Sequence, residues 1–178
     1  MNISASPELT AKLQNIRLVV FDVDGILTNG QLLMLPDGQE VKQFNILDGL
    51  GIKLLMQAGI ETAIITGRRS PQVEQRAQSL GINHLRQSRE DKLTALSELW
   101  QETGHTAEAT AYMGDDWPDL SAIRACIVGA TVPNGHPLVQ QHADWCSSRF
   151  GGNGAAREFC DLILSAQGKL NALAGAYL

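Results

Sequence analysis

Apolar residues fill Ile16-Arg17-Leu18-Val19-Val20-Phe21 with a single break, as in a strand buried on both faces of a parallel sheet. The polar lead-in at 1–15 predicts a short helix from Pro7. Segments 31–35 and 40–44 flank Pro36-Asp37-Gly38-Gln39, and two short runs around such a turn predict a β-hairpin over 31–44. Beyond it, the pattern predicts a strand over 61–65 and a helix over 70–80, with Pro71 at its first position. A short strand over 83–86, a helix over 90–102 and a strand over 109–113 follow. A helix through Leu120, a strand over 125–128 and a helix over 154–167 complete the pattern, before a loose tail over 168–178. Strands alternating with helices predict an α/β fold: a parallel sheet with helices on both faces, in one domain over 1–178.

Composition narrows the class. A chain of 178 residues, 44% hydrophobic and 19% charged, fits one soluble domain with a substantial core. The net charge of -5 argues against a nucleic-acid surface or a membrane role, although local basic groups and a metal can still attract an anion. The three cysteines, Cys126, Cys146 and Cys160, lack CxxC spacing, so neither a disulfide framework nor a zinc site is indicated. No secretory leader and no membrane-length apolar run is visible, and the chain reads as cytoplasmic.

In parallel sheets ligands bind at the carboxyl ends of the strands. The first strand runs into Asp22-Val23-Asp24-Gly25-Ile26-Leu27-Thr28. Residues two apart in an extended strand share a side, which would bring the Asp22 and Asp24 carboxylates together, a repulsion that a cation relieves. An aspartate-glycine turn accounts for Asp24-Gly25 but not for a second acid at the tip. After 61–65 come Thr66-Gly67-Arg68-Arg69, donors suited to phosphate oxygens, or equally a helix N-cap with solvated arginines. Lys92 sits in the first turn of a helix, where the dipole disfavours it and where lysines are more often solvated than functional. Gly114-Asp115-Asp116-Trp117-Pro118-Asp119 crowds three acids at one strand end, more than capping explains.

Acids, a hydroxyl, a lysine and acids again, in that chain order, resemble the haloacid dehalogenase superfamily of phosphohydrolases. The resemblance implies a Rossmann-like sheet, with Asp22 as nucleophile and magnesium ligand. Asp24 would be the general acid and base, its backbone carbonyl facing the metal. Thr66 and Lys92 would hold the phosphoryl group, Asp115 would ligate Mg2+, and Asp116 and Asp119 would complete or orient the acids. The short intervals from Asp24 to Thr66 and from Thr66 to Lys92 leave no room for a cap domain. A neighbouring subunit would then supply the lid, with the hairpin helping to build the interface.

The resemblance sharpens to the 3-deoxy-D-manno-octulosonate 8-phosphate phosphatase family, capless tetramers of lipopolysaccharide synthesis. It is carried by residues 22–30 and Glu40-Val41-Lys42-Gln43-Phe44-Asn45-Ile46-Leu47-Asp48-Gly49, then by Gly51-Ile52-Lys53 and Ile65-Thr66-Gly67-Arg68. Gly114-Asp115-Asp116, His136-Pro137-Leu138 and Gly151-Gly152-Asn153-Gly154-Ala155-Ala156-Arg157-Glu158 continue it. It implies that Asn45, Ile46, Leu47, Asp48, Gly49, Lys53, Gly67, Arg68 and Arg76 contact the sugar acid or its phosphate. The block around Gly152 and Arg157, with the tail, would close over a neighbour's site. Read singly, Arg76 and Arg157 are as well explained as solvated charges, and Gly151 to Gly154 as a flexible linker. Leu47 departs from the family, which usually carries a basic residue there, and the 131–135 segment also differs. Two other readings are a related capless phosphatase acting on a nine-carbon sialic-acid-type 9-phosphate, and a non-catalytic oligomeric scaffold. The scaffold reading predicts eroded motif acids, and all of them are present.

Overall fold

All four residues of β1 (Leu18–Phe21) are buried, and β1 pairs in parallel with β4 (Glu61–Ile65) on one side and β6 (Thr110–Met113) on the other. The computed structural model describes residues 5–178. With β5 (His84–Arg86), β7 (Val128–Thr131) and β8 (Trp145–Cys146), these strands make a six-stranded parallel sheet in the order β5-β4-β1-β6-β7-β8. The chain leaves β1 for one side of the sheet and returns to the other, so β1 lies at the switch point where such folds open a crevice.

Alternation along β1 divides the core into two layers. Val19 and Phe21 pack with α1 (Pro7–Gln14), α2 (Ile46–Gln57), α3 (Pro71–Leu80) and α7 (Ala155–Ala166). Leu18 and Val20 pack on the opposite face with α4 (Lys92–Thr103) and α5 (Leu120–Ala125). Helices thus cover both faces, as expected. Between β1 and β4 stand only α2 and a hairpin of β2 (Leu33–Met34) and β3 (Glu40–Val41), so no cap domain is inserted.

Several elements differ from the sequence reading. α2 was not anticipated, because Ile46–Gln57 is apolar on nearly every side and carries Gly49 and Gly51. Gly51 is there for close packing: a Cβ on it would lie 3.1 Å from the Arg157 Cα of α7. The seventh strand begins at Val128, not Ala125, because the preceding helix continues until the Cys126 amide donates to the Ala122 carbonyl at 3.2 Å. α6 (Pro137–His142) and β8 were also not anticipated. The tail is not loose throughout: it forms α8 (Leu170–Gly175), with Leu170 and Leu173 against the core.

Candidate active site

The register Phe21↔Ile64 and Phe21↔Met113 brings the tips of β1, β4 and β6 level, so Asp22, Thr66 and Asp115 emerge at one edge. Asp22 is buried, and its amide donates to the Met113 carbonyl at 2.9 Å. The strand ends at Phe21, and residues 23–28 form a tight turn in which the amides of Ile26, Leu27 and Thr28 converge on the Val23 carbonyl. That turn, and not an extended strand, brings Asp22 and Asp24 to the same cleft. Gly25, at φ 98°, is required there: a Cβ on it would lie 2.0 Å from Asp115 Oδ2.

Lys92 is not solvated. It is buried, and its Nζ donates to Asp22 Oδ1 and to Asp119 Oδ1, both at 2.6 Å. Asp119 Oδ1 also accepts from the Tyr112 hydroxyl at 2.8 Å, and its Oδ2 accepts from the amides of Asp115 (3.1 Å) and Asp116 (3.2 Å). Asp119 is therefore a hub that locks the second acidic loop onto the lysine. Asp116 instead receives the Trp117 amide at 2.8 Å, as a cap.

These carboxyls are short of positive charge. Burial, then the Asp119 charge, pushes Asp22 well above the ordinary carboxylate range against the pull of Lys92. The same two causes raise Asp115 to about 7. Burial alone would lower the Lys92 ammonium, but Asp22 and Asp119 outweigh it and hold it above the ordinary lysine value.

A cleft of about 420 Å³ opens over this cluster, lined by Asp22, Asp24, Thr66, Gly67, Arg68, Lys92, Asp115, Asp116 and Asp119. Glu90 and Pro118 also line it and were not anticipated. Thr66 is buried and tied at both backbone groups, to the Arg86 carbonyl at 2.9 Å and the Arg89 amide at 3.0 Å. Asp24 Oδ1 accepts from Lys42 Nζ, and Arg68 pairs with Glu40 at the rim. Neither Lys42 nor Glu40 was anticipated as a site residue. Their sequence signal is an acid and a base two apart in a predicted strand, which shows only that they share a face.

Other expected contacts lie outside this lining. Asn45 caps α2, accepting from the Leu47 amide at 2.8 Å and donating to the Gly152 carbonyl at 3.2 Å. Ile46, Leu47 and Lys53 are exposed. Asp48 is buried, its carboxylate taking the amides of Gly154 (3.4 Å) and Arg157 (2.9 Å) and so tying α2 to α7. A Cβ on Gly49 would lie 2.2 Å from the Arg76 guanidinium, which donates to the Asn45 carbonyl at 3.1 Å. Arg157 pairs with Asp161 at 2.8 Å. The Gly152 amide donates to the Ile26 carbonyl at 2.8 Å, and a Cβ on Gly151 would lie 1.7 Å from the Gly25 carbonyl oxygen. The glycine-rich block therefore braces the turn of its own chain, backbone against backbone.

The donor set fits a hard divalent cation. Carboxylate oxygens of Asp22, Asp115 and Asp119 lie within 4.8 Å of one another. Asp119 is occupied by its four donors, which leaves Asp22 and Asp115 with unused oxygens, and burial together with the Asp119 charge raises both groups. The expected set of Asp22, Asp24 and Asp115 borders one cleft.

Comparison with known proteins follows the same lines. Residues 85–158 match the haloacid dehalogenase-like hydrolase family. The chain is 44% identical over 170 residues to the 3-deoxy-D-manno-octulosonate 8-phosphate phosphatase of Escherichia coli, covering 96% of this chain and 90% of that one. It superposes with a TM-score of 0.96 and 44% identity on the Moraxella catarrhalis enzyme of that name, solved with magnesium ion, phosphate ion and KDO, covering 98% and 100% of the two chains. A probable yrbi family phosphatase from Pseudomonas syringae is 52% identical with a TM-score of 0.95, covering 97% and 98%. With a capless sheet, a shared register of acidic tips and this likeness over nearly its whole length, the chain belongs to the 3-deoxy-D-manno-octulosonate 8-phosphate phosphatase family of haloacid dehalogenase-like hydrolases.

Proposed function

We propose that this chain hydrolyses 3-deoxy-D-manno-octulosonate 8-phosphate to the free sugar acid and phosphate, a cytoplasmic step of lipopolysaccharide synthesis. One observation carries the reading: a buried carboxylate, Asp22, held by Lys92 at 2.6 Å at the floor of a cleft that also holds Asp24, Thr66 and Asp115. Asp22 attacks phosphorus, the ester P–O bond breaks, and an aspartyl-phosphate forms. Asp24 gives its proton to the departing alkoxide and then takes one from water, whose oxygen attacks phosphorus, releases phosphate and restores Asp22. Lys92, Thr66 and the Gly67 and Arg68 segment hold the phosphoryl oxygens. Asp22, the Asp24 carbonyl and Asp115 would hold Mg2+, which when bound neutralises charge between nucleophile and phosphate.

The same proposal includes assembly. Leu32, Leu33 and Met34 on the hairpin are 55%, 59% and 56% exposed, apolar surface that a homotetramer would cover. The ledge of Asn45 to Gly49, Lys53 and Arg76 would then serve the sugar-acid end of the substrate. Leu47, exposed where the family usually has a cation, favours one second reading, a nine-carbon sialic-acid-type 9-phosphate. Phosphate release from both compounds, with Mg2+ and with chelator, tests the choice. Fast, metal-dependent release from the eight-carbon substrate alone supports the reading, and preference for the nine-carbon one overturns it.

A further inference from the structure

The hairpin brings one buried charge to the site. β3 alternates: Val41 lies opposite Leu33 and is exposed, whereas Glu40 and Lys42 share the inner face. Lys42's side chain is only 3% exposed, although nearly everything around it in the hairpin is open to water. Its Nζ donates to Asp24 Oδ1 and lies 2.9 Å from Glu40 Oε1. Glu40 is itself held: its other carboxylate oxygen takes Arg68 Nη2, and its carbonyl accepts from Gln72 Nε2 of α3 at 2.9 Å. A buried ammonium is costly unless paired, and an apolar side chain would fill the same space without that cost. The pairing is thus better explained by what it does to Asp24 than by stability.

We infer that Lys42 is a positioning residue for the acid–base steps proposed above: its grip on Asp24 Oδ1 fixes the direction in which the carboxyl meets the ester oxygen of the bound phosphate. A carboxyl that accepts from lysine on one oxygen keeps one fixed direction throughout, and Oδ2 makes no hydrogen bond of its own among the described residues, with Arg68 Nε 4.0 Å away. The hairpin, an exposed element, thereby sets whether Asp24 is aligned. This rests on the reading of Asp24 as acid and base, and the test separates the two.

The test is kcat/KM, which covers events up to leaving-group departure, on two substrates. One is 3-deoxy-D-manno-octulosonate 8-phosphate, whose alkoxide needs a proton; the other is p-nitrophenyl phosphate, whose phenolate leaves without one. Lys42→Met keeps the stem and removes the charge. Its kcat/KM is expected to fall about 10–100-fold on the sugar phosphate and much less on the aryl phosphate, with partial recovery in Lys42→Arg. Equal losses on both substrates, or none, overturn the proposal, because a merely structural role cannot tell leaving groups apart. Asp24→Asn is the reference. If it shows no difference between substrates, the reading of Asp24 fails; if it does and Lys42→Met does not, the Lys42 inference alone fails. Should Lys42→Met fold poorly by thermal melting, Lys42→Gln and the same ratio of substrates decide.

Discussion

Asp119 accepts from four donors, Lys92 Nζ at 2.6 Å and the Tyr112 hydroxyl at 2.8 Å on one oxygen, the Asp115 and Asp116 amides at 3.1 and 3.2 Å on the other. Asp119→Asn replaces one of these oxygens with an NH2 group, whichever way the amide turns. Turned one way, the NH2 faces the part-buried amides of Asp115 and Asp116; turned the other, it faces Lys92, while the Tyr112 hydroxyl can accept from it. Each donor left unpaired costs about 1–3 kcal/mol. Against this, losing the Asp119 charge relieves Asp22 and Asp115, both of which it repels. The net expectation is a loss of about 1–3 kcal/mol, at or below the low end of what stripping a buried ion pair of one partner costs. Lys92 also loses one of its two anchors, so turnover should fall about 10–100-fold. Urea unfolding at fixed ionic strength, beside steady-state phosphate release, measures both. An unfolding free energy within about 0.5 kcal/mol of the parent, with turnover intact, would refute the hub, since an exposed cap behaves that way.

Three further outcomes follow from the same contacts. Asp115, raised to about 7 by burial and then by Asp119, binds more protons folded than unfolded between about pH 4 and that value. Its contribution to stability therefore declines as pH rises through that window in chelator; Asp115→Asn should make the decline shallower, the part due to Asp22 remaining, and Mg2+ should oppose it, as thermal melts from pH 5 to 8 will show. Gly25→Ala places a Cβ where Asp115 Oδ2 lies and forces a non-glycine residue to φ 98°, at about 1–2 kcal/mol for the backbone alone. Mg2+ affinity by calorimetry should drop at least about tenfold, and unchanged affinity would show that the turn yields. On the proposed tetramer, Leu33→Asp with Met34→Asp, on the exposed hairpin, should give a smaller species by sedimentation than the parent while the far-ultraviolet spectrum stays unchanged; a monomeric parent, or no change in size, would count against that interface.

Much of the fold was readable because its signals are local. The run into Asp22, the proline-started helix after Thr66 and the glycine and acids after Met113 each announce a strand tip within a few residues. α2 escaped because its glycines answer to contacts with α7 and with Arg76, made by residues far away in sequence. Lys92 shows the same divide at the site. Its place in a first helical turn reads as a solvated charge, and only the sheet brings Asp22 and Asp119 to its ammonium. Arg157 runs the other way: it pairs with Asp161 four residues on, outside the cleft lining.

By itself the sequence determined that a parallel sheet would present Asp22, Thr66 and Asp115 at its carboxyl edge, because strand period and turn chemistry act over a few residues. Tertiary structure alone decided which charges pair. Asp119 became the anchor of Lys92, Lys42 the partner of Asp24, and the glycine block a brace on the Asp22 turn. The reason is one of range: a hydrogen bond is decided by a few tenths of an ångström between residues tens of positions apart, and only the packed sheet and helices set that distance.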